Sequence, residues 1–126
     1  MMKKISTKNA PAAIGPYSQG IIVNDMLYSS GQIAIVPETG EIVGDTIESQ
    51  TEQVMKNLGA ILAEASADYD KVIKTTCFLA DMNDFAKFNE IYGSYFVNQP
   101  ARSCVAVKTL PKNVLCEVEV IAYLGE

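Results

Sequence analysis

The sequence predicts an α+β fold: a mixed sheet of about six strands with two helices packed on one face. Three observations carry this expectation. Short runs rich in β-branched and aromatic residues are bounded by turn residues at both ends of the chain. Two stretches between them carry apolar residues at helical spacing. The 126 residues, 48% hydrophobic and 20% charged, suit one core, so residues 1–126 are expected to form a single domain.

Residues 1–8 read as a short edge strand, and Asn9 to Pro16, with two prolines and a glycine, as a loop. Gly20 to Val23 and Met26 to Ser30 flank Asn24-Asp25, a two-residue hairpin turn. Gln32 to Val36 reads as a further strand, closed by the Pro37-Glu38-Thr39-Gly40 turn. Asp45 with Glu48 three positions later has the form of a capping box. The helix it starts carries Ile47, Val54, Leu58, Ile61, Leu62 and Ala65 on one side and should end near Ala67.

Val72 to Leu79 reads as a mostly buried strand. Asp81 or Asp84 can cap a second helix with the stripe Phe85, Phe88, Tyr92, Tyr95 and Phe96. Asn89 shares that face, so its amide requires a hydrogen-bond partner. The last two strands, near Ala101 to Lys108 and Val114 to Leu124, flank a turn at Leu110-Pro111-Lys112-Asn113 and could pair as a hairpin. Several strands are apolar on both faces, whereas two helices cover only one side of a sheet. The uncovered side would expose a large apolar patch, which predicts a homo-oligomer with the open faces packed together.

Composition narrows the chemistry. A net charge of -5 and a pI near 4.7 argue against nucleic acid, which demands a basic patch. No apolar run reaches the length of a membrane span, and Lys3 and Lys4 precede no long apolar segment, so neither a membrane nor a secretory signal is expected. Cys77, Cys104 and Cys116 are an odd set at uneven spacing, consistent with reduced thiols in a cytoplasmic protein. There is no histidine, which removes Ser-His and Cys-His nucleophilic pairs and the commonest metal ligand. Gly15 to Gly20 lacks the Gly-Lys-Ser/Thr ending of a phosphate loop. If the protein is an enzyme, its chemistry would therefore fall to carboxylates, hydroxyls, backbone groups, water and Arg102.

Arg102 lies in an otherwise apolar strand, where a guanidinium is costly to bury without an anion. Its partner could be a structural glutamate, with Glu117 and Glu119 on the following strand. It could equally be a small ligand's carboxylate, which a planar guanidinium grips through two parallel hydrogen bonds. Separate solvated charges are the third possibility. If the last two strands pair, a one-residue slip decides whether Arg102 and Glu117 meet, and the favourable register places both on the presumptive subunit interface. Tyr17 is a loop phenol that could be a packing residue. Ser29-Ser30-Gly31 is either a bulge or a hydroxyl and free amide aimed at a ligand. Cys104 reads as a small buried residue, and Cys77 and Cys116 as packing.

These pieces together resemble the Rid family of reactive intermediate deaminases, also called YjgF. The resemblance rests on Asn9-Ala10-Pro11-Ala12-Ala13-Ile14-Gly15-Pro16-Tyr17-Ser18-Gln19-Gly20, Ser30-Gly31-Gln32-Ile33, Pro100-Ala101-Arg102-Ser103-Cys104-Val105 and Glu117-Val118-Glu119-Val120-Ile121-Ala122, in family order over nearly the whole chain. The pairing of arginine with glutamate is most similar to the RidA branch. The resemblance implies a chorismate-mutase-like fold, a homotrimer forming a barrel with ligand clefts between subunits, and hydrolysis of 2-imino acids and their enamine tautomers to 2-oxo acids and ammonia. Such imines are released by pyridoxal-phosphate dehydratases, and the resemblance implies no metal or organic cofactor.

By the same resemblance, Arg102 would clamp the substrate carboxylate and Glu117 would activate the attacking water. Tyr17 and Asn89 would line the cleft, Ser30 and the Gly31 backbone would contact substrate, and Cys104 would contribute its backbone. The loop before Pro100 is shorter than in familiar bacterial members, which affects the rim of the cleft rather than its floor. The alternative on the same fold is a non-catalytic binder of small carboxylates, a metabolite sensor or regulator. Ribonuclease action or translation inhibition, claimed for some relatives, is opposed by the acidic charge and the missing histidine.

Overall fold

The computed structural model describes residues 2–125; Met1, at the start of the expected first strand, lies outside the described residues. Six strands form one sheet: β1 (Met2–Ile5), β2 (Gly20–Val23), β3 (Met26–Ser29), β4 (Val72–Leu79), β5 (Ala101–Ala106) and β6 (Cys116–Tyr123). Two helices, α1 (Ile47–Glu64) and α2 (Phe85–Tyr95), pack on one face. The spatial order is β1-β2-β3-β6-β4-β5. All neighbours are antiparallel except β4 and β5, which run parallel. A parallel pair needs a crossover, and α2 supplies it.

This order corrects one expectation. β5 and β6 do not form a hairpin, because β4 lies between them and pairs with both. The eight residues of β4, Val72-Ile73-Lys74-Thr75-Thr76-Cys77-Phe78-Leu79, are rich in β-branched and apolar side chains and bury Thr75, Cys77 and Leu79 completely on the helix side. Such a strand is better satisfied in the middle of a sheet than at its edge. Gln32 to Val36 is also not a strand. It makes only isolated bridges, Gln32 with Val118 and Ile35 with Ile42. The Asn24-Asp25 hairpin forms as expected, with Asn24 in the left-handed region at φ 53°.

Helix α1 is capped by Thr46, not Asp45. Thr46 is extended (φ -107°, ψ 152°), and its hydroxyl accepts from the Ser49 amide at 3.1 Å. Glu48 remains in the first turn, where a carboxylate favours the helix dipole. The helix closes where Ser66 turns left-handed and the Ala67 amide bonds back to the Leu62 carbonyl at 2.9 Å. Asp81 caps a short turn before α2 by accepting from the Asn83 amide, and Asp84 is the helix N-cap without a side-chain bond.

The core lies between helices and sheet. Val54, Met55, Leu58, Ile61 and Leu62 of α1, with Phe88, Tyr92 and Phe96 from α2 and its C-cap, pack on Cys77, Leu79, Cys116, Val118, Val120 and Ala122. β6 alternates strictly. Cys116 faces the helices, with its sulfur 3.7 Å from the Thr51 hydroxyl of α1, so Glu117, Glu119, Ile121 and Tyr123 face the open side. Tyr28 (44% exposed), Val105 (47%) and Tyr123 (41%) leave apolar surface there.

Candidate functional site

The predicted site residues fall into two groups on opposite faces of the sheet. Arg102 pairs in register with Thr75, whose hydroxyl is 2.7 Å from the Tyr92 phenol of α2. Arg102 therefore lies on the helix side of the edge strand β5. Its Nη1 donates to Asn89 Oδ1 at 2.7 Å, and its guanidinium carbon sits 4.9 Å from the Tyr92 ring centre and 5.4 Å from that of Phe85. Two rings and one amide thus hold the cation, with cation–π attraction offsetting part of its desolvation. Among the described residues no carboxylate pairs with it; the ion pair found there is Lys87 with Glu48. A guanidinium carries five N–H donors, so most remain available to a ligand.

Arg102 and Asn89 line a cavity of about 310 Å³ together with Tyr92, Phe96, Val97 and Pro100. The short loop after α2 shapes its rim. Cys104 lies two residues along β5 on the same face, opposite Cys77. Burial raises the thiols of both cysteines, Cys77 to about 12, so neither has a thiolate's reactivity.

Glu117 occupies a different cavity, of about 440 Å³, with Tyr17, Ser30 and Gly31. Of the possibilities left open for Arg102, a meeting with Glu117 within one chain does not occur: β4 separates their strands, and their side chains leave the sheet in opposite directions. Gly31 is needed for close approach. A Cβ there would stand 2.1 Å from Glu117 Oε2. Burial first, and the neighbouring Glu119 second, raise the Glu117 carboxyl above the usual carboxylate range.

The surrounding loop is held by side chains unremarked in the sequence. Gln19, only 4% exposed, accepts from the Thr7 amide at 2.7 Å and donates to the Pro11 carbonyl at 2.7 Å, fastening residues 7–11 beside the cavity. Asn57, fully buried on α1, donates to the Ile33 and Ile35 carbonyls at 3.1 and 2.9 Å. Ser30 donates its hydroxyl to the Ser18 carbonyl and its amide to the Gln19 carbonyl, leaving it lone pairs for a ligand. The Gly31 amide donates to no acceptor among the described residues. Ile14, Ile33, Ile35, Pro111 and Lys112 complete the cavity. Their contribution was not foreseen; the turn at Pro111-Lys112, shortly before Glu117, was the available signal.

Comparison with known proteins identifies the family. Residues 7–124 match the family described as Endoribonuclease L-PSP, the YjgF/Rid family. The chain belongs to the YjgF/Rid family. It is 65% identical over 122 residues to a Lactococcus lactis protein named "Putative regulator AldR", covering 96% of this chain and 97% of that one. It is 48% identical over 124 residues to the mouse 2-iminobutanoate/2-iminopropanoate deaminase, covering 98% and 92%. Among solved structures, Escherichia coli TdcF with bound serine superposes with a TM-score of 0.93 at 43% identity, covering 98% of this chain and 99% of that one. The six-stranded mixed sheet with two helices is thus the fold of this Rid-family chain. Among the described residues no helix is long and apolar enough to cross a membrane.

Proposed function

We propose that the protein is a homotrimeric deaminase of reactive 2-imino acids, with each active site assembled from two protomers. One observation carries the reading: a guanidinium fixed by Asn89 with no anionic partner among the described residues, and a half-buried carboxylate over Gly31, lie in separate cavities of one chain. The open sheet face, with Tyr28, Val105 and Tyr123 partly exposed, is the surface through which copies would join. Arg102 of one protomer would then meet Glu117, Tyr17, Ser30 and Gly31 of the next. Deaminase names among relatives near 50% identity favour this chemistry.

In the proposed reaction Arg102 binds the substrate carboxylate and fixes the C=N carbon beside Glu117. Glu117 accepts a proton from water as its oxygen bonds to that carbon, giving a carbinolamine. The proton passes to nitrogen, the C–N bond breaks, and ammonia leaves as the 2-oxo acid forms. An iminium carbon is already electrophilic, so no covalent nucleophile is required. The Gly31 amide and the Ser30 oxygen orient the substrate. The setting would be the cytoplasm, beside the pyridoxal-phosphate enzymes that release such imines.

The test generates 2-iminobutanoate from threonine with a threonine dehydratase in the presence of semicarbazide. The protein should divert flux from the trapped imine to 2-oxobutanoate. Arg102→Ala should abolish the diversion while sedimentation still reports the trimer; undiminished diversion by this variant would refute the role of Arg102. A second reading, a carboxylate-binding regulator, is favoured by the name of the 65% identical relative. It predicts serine or 2-oxobutanoate binding without diversion.

A further inference from the structure

We infer that Lys112 selects substrates bearing a second carboxylate, so that the preferred imines are those of dicarboxylic amino acids; this rests on the deaminase reading above. Lys112 lines the same cavity as Glu117, on the turn Pro111–Asn113 that leads into β6. Its backbone is left-handed (φ 55°, ψ 21°), and so is that of Asn113 (φ 55°). Two consecutive non-glycine residues in this region are sterically costly. Such strain is kept where the surrounding fold fixes a side chain for use.

The ammonium forms no ion pair among the described residues. The lining combines apolar Pro11, Ile14, Ile33, Ile35 and Pro111 with polar Tyr17, Ser30, Gln32 and Glu117, and Lys112 is its one basic side chain. Lys112 is therefore the cation this cavity presents to a substrate's side chain, while Arg102 is committed to the carboxylate at C1.

Charge agrees with this assignment. The chain carries a net charge of -5, which repels a dianion in general. The Lys112 cation in the cavity lining would offset that repulsion locally. The reaction itself is unchanged: water adds to the C=N carbon and ammonia leaves.

The experiment compares two imines under the same semicarbazide competition. Iminosuccinate is made from aspartate with a flavin-dependent aspartate oxidase, with catalase present, and 2-iminobutanoate from threonine as above. The wild-type protein should act on both, favouring iminosuccinate. Lys112→Met should lower the ratio of kcat/KM for iminosuccinate to that for 2-iminobutanoate by about tenfold, mainly through KM, the size expected for one charged hydrogen bond. Lys112→Arg, which shares the same backbone strain, should restore the ratio to within about twofold. An unchanged ratio in Lys112→Met overturns the inference. A wild-type protein active on 2-iminobutanoate but inert to iminosuccinate also overturns it and leaves the deaminase reading standing. Failure on both imines overturns the deaminase reading itself, and this inference with it.

Discussion

Arg102 reaches across from β5 to Asn89 on α2, donating Nη1 to Oδ1 at 2.7 Å. The amide turns the guanidinium toward the cavity without neutralising it, as an aspartate at the same place would. Asn89→Ala is expected to lower kcat/KM for 2-iminobutanoate by about tenfold or more, through loss of one charge-assisted hydrogen bond. Asn89→Asp should raise KM further, because the new carboxylate competes with that of the substrate. Steady-state kinetics on the two variants check the order; an Asn89→Asp protein that binds substrate as well as wild type counts against the clamp.

Gly31 and Glu117 are coupled by space. A methyl group at position 31 would overlap Glu117 Oε2 at 2.1 Å, and the carboxylate would have to swing away. Gly31→Ala should cost at least about tenfold in kcat, since small misplacements of a reacting group carry large penalties. Gly31 is not a left-handed residue among those identified, so the fold should hold. Circular dichroism and melting curves close to wild type, beside the kinetic loss, would separate the two effects.

The pH dependence follows from Glu117 and Glu119. Burial, then Glu119, raises the Glu117 carboxyl above 4.5, so the folded state holds its proton more tightly than the unfolded chain. Stability from this group is fully present below the unfolded value and is lost as pH rises through the folded one. Glu117→Gln should therefore melt progressively higher than wild type as pH climbs through that window. For activity the base must be ionised, so the acid limb of kcat/KM should lie above the ordinary carboxylate range. Glu119→Gln should move that limb to lower pH; a limb that stays put would remove Glu117 from the role of base.

Asn57 fixes the cavity wall from behind. Its amide satisfies the Ile33 and Ile35 carbonyls and its oxygen accepts from Gln53 Nε2 at 2.9 Å. Asn57→Leu would orphan the Ile35 carbonyl, leave the Ile33 carbonyl only the Ile35 amide, and is expected to destabilise the protein by about 1–3 kcal/mol. Urea denaturation measures this. KM should rise as well, because Ile33 and Ile35 line the cavity.

Local patterns made much of this fold readable in advance. The α1 stripe, the β4 run Val72 to Leu79 and the Asn24-Asp25 turn each obey short-range rules of spacing and turn chemistry. Strand neighbours do not. Nothing between Arg102 and Glu117 announces that β4, laid down earlier in the chain, will slip between their strands. The residues that resembled a family were found by motif, but their division between two faces depends on long-range pairing. Gln19 and Asn57 were missed for a related reason: polar residues in a loop or on a helix look solvated until the carbonyls they serve are brought to them. The helix cap falls one residue later than Asp45, on Thr46, whose hydroxyl accepts from the Ser49 amide.

The full strand lying between Arg102 and Glu117 has a genetic corollary under the proposed assembly. Two defective alleles, one lacking the guanidinium and one lacking the carboxylate, would complement each other when expressed together. Every mixed ring of three would regain a single intact seam, and random mixing would restore about a quarter of normal turnover. A dominant-negative phenotype is correspondingly hard to obtain from either lesion alone, since each damaged subunit still lends its sound half to a neighbour.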